Sequence, residues 1–218
     1  MRFFGAGGKM GFGRPTFETF YVGGDFTNAN YKNQVGFILM TRIARWNTTS
    51  SAWEYPFGDG MNSSVFAIAV DSNDNLYVGG GFTTANGVTV SRIAKWNGTQ
   101  FSALGSGLNS TVYALAVDSN DNLYVGGGFT TANGTASNRI AKWNGTAWEY
   151  PFEDGLNNRV FALAVDSNDN LYVGGFFTSV NGTASNYIAK WNGTSEAWEY
   201  PFGSGMGGTV FALLTNKS

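Results

Sequence analysis

The chain has 218 residues, enough for one medium domain with a real core, and 43% of them are hydrophobic. Cys and His are both absent, which excludes disulfides, thiolate metal sites and the usual general base. Only 13% of residues are charged and 31 are Gly, so turns and strands are favoured over helices.

Residues 1–16, "MRFFGAGGKMGFGRPT", read as a Gly-rich basic N-terminal arm. Arg2, Lys9 and Arg14 give it a charge of +3 and leave −5 for the rest of the chain. A basic arm on an acidic body is an anchoring pattern, while three charges fall short of a nucleic-acid signature. Its longest apolar run is two residues, too short for a secretion signal, and no window reaches membrane-spanning length. The expected location is a cytoplasm, or a virus particle packaged from one, with no membrane partner. So Gly-rich a segment builds no core alone. Phe3, Phe4, Met10 and Phe12 are therefore candidate contacts to a protein partner or second subunit, with Arg2, Lys9 and Arg14 meeting acidic groups.

Residues 17–218 are repetitive. Tyr-Val-Gly-Gly begins at Tyr21, Tyr77, Tyr124 and Tyr172, and Trp-Asn recurs at Trp46, Trp96, Trp143 and Trp191. Segments 65–98 and 112–145 agree at 28 of 34 positions, which only duplication explains. The first unit starts at "FETFYVGG" and carries six extra residues within "NANYKNQVGFILM". Each later unit opens on an apolar strand such as "VFALAVD", a run expected for a strand buried on both faces. An Asx-rich "DSNDN" turn leads to "NLYVGG". "NRIAKWN" and "TAWEYPF" follow, joined by Asn-Gly at Asn97, Asn144 and Asn192, where both residues tolerate positive φ. The chain closes on an orphan first strand, "TVFALLTNKS".

Four antiparallel strands per period of 47 to 48 residues is the arithmetic of a β-propeller blade. The predicted fold is all-β: a four-bladed β-propeller of four-stranded antiparallel blades. Blades span about 17–58 plus 209–218, 65–104, 112–152 and 159–202, and Val210 to Leu214 is expected to complete the first blade and close the ring. The double Gly of "LYVGG", followed at a distance by Trp53, Trp148 and Trp198 on the outer strand, resembles the kelch repeat. The second unit departs from it, with Phe101 in the Trp place. The kelch resemblance also raises an enzyme, since that group includes a copper oxidase. Its site needs His and a Cys-modified Tyr, and the chain has neither.

Other chemistry reads weakly. "DSNDN" has Asp and Asn at alternate places as in a calcium loop, but Leu76 and Phe82 stand where Gly and a bidentate Glu belong. "VGGGF" has no following helix to make a phosphate cradle, so its glycines are expected to allow close approach of neighbouring blades or a bulge. Nine Asn-x-Ser/Thr sequons occur, with Asn-Gly-Thr already demanded by the turn. The tryptophans raise sugar stacking, against which stands their expected burial between blades. No catalytic, metal or cofactor residues are assigned, because carboxylates fall in repeated turns and outer strands and no pair stands apart. The leading expectation is a non-enzymatic structural or protein-interaction module anchored by its arm, and the alternative is a multivalent glycan-binding lectin. Specific contacts are expected on the face where the repeats vary, such as "GVTVSR" against "GTASNR", or through the arm.

Overall fold

The computed structural model describes residues 19–29, 38–39 and 41–216. Among them no helix forms, and so none is long and apolar enough to cross a membrane. Three four-stranded antiparallel sheets follow one another along the chain. In order from inner to outer strand, the second blade is Val65–Val70, Leu76–Gly80, Ile93–Trp96 and Phe101–Ala103. The third is Val112–Val117, Leu123–Gly127, Ile140–Trp143 and Trp148–Glu149, and the fourth is Val160–Val165, Leu171–Gly175, Ile188–Asn192 and Ala197–Glu199. Ahead of them, Thr19–Gly23, Ile43–Asn47 and Ala52–Glu54 make a first sheet of three strands.

Burial is greatest between sheets. One cluster joins Ile43 and Phe57 of the first blade to Val65, Leu76, Val78 and Phe82 of the second. The same pattern recurs between the second and third blades and between the third and fourth. Glycine sets the spacing. A Cβ on Gly23, Gly79 or Gly126 would overlap the Val65, Val112 or Val160 side chain of the next inner strand. The close approach expected of "YVGG" is therefore present, and it holds each inner strand against the blade before it.

The same docking recurs at the last strand sequence. Val210 to Leu214 is not in the first sheet, and no ladder joins it to Thr19–Gly23 among the described residues. It packs against the fourth blade, as each inner strand packs against the blade before it: Val210 fills the space over Gly174 and donates its N–H to the Gly175 carbonyl at 3.1 Å. Val65 makes the equivalent contact to Gly24, also at 3.1 Å. Among the described residues the first sheet therefore has three strands, and the closing ladder expected from the sequence is not one of the described ladders.

The turns divide in the same way. "DSNDN" folds as expected: Asp71 Oδ1 accepts the N–H groups of Asn73 and Asn75 at 3.0 and 2.9 Å, and Asp74 takes φ 62°. The Asn-Gly pairs after the third strands do close hairpins, but not by two residues of positive φ. Asn97 Oδ1 caps a longer turn by accepting from Thr99 and Gln100 at 3.0 and 2.9 Å, and of that pair only Gly98 is left-handed. The two-residue turn occurs at other Asn-Gly pairs, where Asn86 and Gly87 have φ 44° and 76° and join Thr84–Ala85 to Val88–Thr89. Phe101 does the work of the missing Trp, packing buried against Trp96 and Phe57 with centroids 4.9 and 5.8 Å away.

Gly126→Ala should cost about 1–3 kcal/mol, because the new methyl must displace Val160 in a packed interface. Urea unfolding followed by tryptophan fluorescence will measure it, and a wild-type midpoint would show that the interface yields.

Candidate functional site

Each inner strand begins with a bulge. Register shifts lie between Val65 and Ala67, Val112 and Ala114, and Val160 and Ala162. The residue in the bulge is left out of the ladder and its side chain turns outward. Those residues are Phe66, Tyr113 and Phe161, and Phe211 holds the matching place on the orphan strand. Their rings form a row across the blades, with successive centroids 5.5, 5.2 and 5.3 Å apart. Phe66 and Phe211 are each 48% exposed, and Tyr113 and Phe161 are half-buried. The row is a contiguous aromatic ledge open to solvent.

Its rim carries both backbone strain and a break in the repeat. Arg42, Arg92, Arg139 and Tyr187 occupy matching places in the four blades with φ between 64° and 70°, a conformation costly for bulky side chains. Arg92 Nη1 donates to the Gly81 carbonyl and Arg139 Nη1 to the Gly128 carbonyl. In the fourth blade both partners change together. Tyr187 replaces the arginine, Phe176 replaces the glycine, and the two rings lie 6.2 Å apart. Phe176 is 50% exposed, which extends the apolar surface at that blade. Sequence reading missed the ledge because Phe66, Tyr113 and Phe161 vanish into an apolar run. The signal that could have found them was the aromatic held at one place in each copy, next to a Val that must face the glycines.

The ledge lies on the face where the repeats vary. Connections between blades and those between second and third strands meet there, as Asn62 Oδ1 accepts from Thr83 and Thr84 at 2.8 and 3.0 Å. Asn109 and Asn157 repeat the contact. At the other end of the inner strands, the aspartates link blade to blade. Asp121 accepts from the Ser72 N–H and hydroxyl at 2.8 and 2.5 Å, and Asp169 from those of Ser119 at 2.9 and 2.6 Å. Asp71, Asp118 and Asp166 are consumed by their own turns, each also accepting from a tyrosine hydroxyl: Tyr77, Tyr124 and Tyr172 at 3.3, 3.2 and 3.2 Å. Burial first, and then the aspartate, push the Tyr77 and Tyr124 hydroxyls above the ordinary range. This is the geometry of a turn. Among the described residues no group of three or more metal-ligating side chains assembles.

Two further sets of side chains have structural places. Trp46 and Trp53, Trp143 and Trp148, and Trp191 and Trp198 pair edge to face at 5.1, 5.5 and 5.3 Å. Trp148 also donates to the Leu104 carbonyl of the preceding blade at 2.9 Å. Trp143, Trp148 and Trp191 are buried and offer no face for sugar stacking, whereas Trp46, Trp53 and Trp198 are partly exposed. Glu54, Glu149 and Glu199 face Arg45, Lys142 and Lys190 across the outer ladders at 2.6, 3.0 and 2.7 Å. The arm candidates Arg2, Phe3, Phe4, Lys9, Met10, Phe12 and Arg14 lie outside the described residues.

The family model of the Rax2 C-terminal beta propeller domain matches residues 43–153. No curated protein sequence matches the chain. Among solved structures, the extracellular domain of the one component system BT4673 from B. thetaiotaomicron is similar at 13% identity and a TM-score of 0.46, over 75% of this chain. A chain of the Mitotic Checkpoint Complex is similar at 16% identity and a TM-score of 0.36, over 72% of this chain. This chain spans 20% of the first and 56% of the second.

Acid should test the links between blades. The Ser72 hydroxyl and N–H hold the Asp121 carboxyl below the usual carboxylate range. Stability from such a group is complete above the unfolded pKa, about 4, and is lost as pH falls through the lower folded value. Ser72→Ala should return Asp121 toward its ordinary pKa and move acid unfolding to higher pH, as read by circular dichroism. An unchanged acid midpoint would show that the link adds nothing.

Proposed function

Since the chain belongs to the family of the Rax2 C-terminal beta propeller domain, we propose that it is a non-enzymatic structural and protein-interaction propeller whose partner docks on the aromatic ledge. The ledge of Phe66, Tyr113, Phe161 and Phe211 carries this reading: rings held outward by bulges, beside connections that differ from blade to blade. Rigid aromatic area on a preorganised scaffold is what interface hot spots are made of. The fourth blade, with Phe176 and Tyr187 in place of Gly and Arg, gives the ledge a distinguishable end and so a direction for its ligand.

The absence of His and Cys supports a role without catalysis, as does the use of the outer-strand glutamates in ion pairs. In this reading the arm of residues 1–16 anchors the propeller to a larger assembly, a virus or phage particle among the candidates, through Phe3, Phe4, Met10 and Phe12 with Arg2, Lys9 and Arg14. Its composition supports that role: apolar rings between cations, facing a body with a charge of −5.

Displayed-peptide selection against the full chain should yield aromatic or proline-containing ligands. Phe161→Ala should weaken them about tenfold, or 1.4 kcal/mol, while leaving thermal unfolding nearly unchanged. Ligands indifferent to Phe161 would move the site elsewhere. Several equivalent glycan sites per chain in calorimetric titration would favour the lectin.

A further inference from the structure

The four repeats differ at one place that controls charge. The residue after the double glycine is Asp25, Gly81, Gly128 and Phe176 in turn, and the left-handed residue beside it is Arg42, Arg92, Arg139 and Tyr187. In the first blade the arginine has a carboxylate. Asp25 Oδ1 lies 3.5 Å from Arg42 Nε and accepts from the hydroxyl of Ser64, at the start of the next blade, at 2.8 Å. In the second and third blades glycine removes that carboxylate while the arginine stays. Arg92 and Arg139 donate to backbone carbonyls, and neither forms an ion pair among the described residues. The fourth blade drops arginine and carboxylate together.

The third blade has a second cation at this place. The residue matching Ser64 is Thr111 at the start of the third blade and Arg159 at the start of the fourth. A Cβ on Gly128 would meet Ser110 Oγ at 3.4 Å, Tyr113 Cε2 at 3.7 Å and Arg159 Nε at 3.9 Å, so the hollow has room for a side chain and is lined by donors. Arg139, bonded to the Gly128 carbonyl, keeps its Nε buried without a hydrogen-bond partner. Arg159 is exposed and forms no ion pair among the described residues. We propose that the hollow over Gly128, between Arg139 and Arg159, is a carboxylate site that takes an Asp or Glu side chain of a protein partner, as Asp25 fills the matching place within the chain. Tyr113 borders both hollow and ledge, so the partner is the one proposed for the ledge, and the assignment rests on that reading. Two guanidinium groups and a hydroxyl hold a carboxylate by charge-assisted bonds. Arg159 is the specificity-determining residue, because the second blade, with Thr111 in that place, offers one guanidinium where the third offers two.

The first blade supplies the test. Gly128→Asp puts a carboxylate where Asp25 has one, and the backbone accepts it, since φ at Gly128 is not positive and the nearest neighbour is 3.4 Å from the new Cβ. In low salt the full-length Gly128→Asp protein should melt about 3 °C above Gly128→Asn. Adding Arg159→Gln to both should remove most of that gap. Equal melting of the two, or a gap that Arg159→Gln leaves unchanged, would overturn the carboxylate site. Peptides selected from a displayed random library on the wild-type chain should be enriched in Asp or Glu. Their affinity should fall about tenfold on Arg159→Gln and on Gly128→Asp. Selected peptides that need Phe161 but no acidic residue would overturn the carboxylate site and leave the ledge standing. Acidic peptides that need Arg159 but not Phe161 would support the carboxylate site and overturn the ledge reading instead.

Discussion

The fit of one valine into one glycine hollow organises this molecule. Val65 over Gly23, Val112 over Gly79, Val160 over Gly126 and Val210 over Gly174 are the same contact made four times. Because Gly has no Cβ, an inner strand comes near enough to its predecessor for the flanking Leu, Ile, Phe and Trp side chains to interdigitate. The large buried clusters accordingly lie between sheets rather than within them. A chain without disulfides and with few charges depends on this repeated packing for its stability.

The same contact creates the ledge. Turning the valine down onto the glycines while the strand continues its ladder requires an extra residue, and the bulge supplies it. Phe66, Tyr113 and Phe161 are then turned away from the interface they follow, and end up beside one another. The exposed aromatic surface is thus a by-product of how the blades pack. The rings lie outside the contact of valine on glycine, whereas a Cβ on Gly23, Gly79 or Gly126 would displace the valine beside which each bulge forms. At the rim, Tyr187 and Phe176 show that one blade can alter its exposed pair together and still keep the left-handed backbone there.

Much of this was legible in the sequence because repetition multiplies a weak signal. The period, the four strand types, the Asx turn at Asp71 and the purpose of the double glycine all follow from residues that recur at fixed offsets. Local identity was less informative where two similar motifs compete. Asn86-Gly87 and Asn97-Gly98 read alike, yet only the first is squeezed into a two-residue turn, while the side chain of Asn97 captures the backbone of a longer one. Periodicity likewise hid the ledge, since a bulge shifts the register without changing composition. Of the closure expected at Val210 to Leu214, the contact of Val210 over Gly174 is present, and a ladder to Thr19–Gly23 is not among the described ones. The arm, read as the principal contact, lies outside the described residues, and the ledge was not among the expected sites.

The near-identity of the repeats has a consequence for how such a chain changes over generations. Segments 65–98 and 112–145 agree at 28 of 34 positions, so unequal recombination between their encoding stretches would join one repeat to the other in phase. An exchange of that kind adds or removes one whole blade. It leaves every remaining valine facing a glycine and every linking serine facing an aspartate, because the junctions of the second blade with the third and of the third with the fourth are alike. Blade number can then vary in whole steps with little loss of foldability. The length of the aromatic ledge would vary in the same steps.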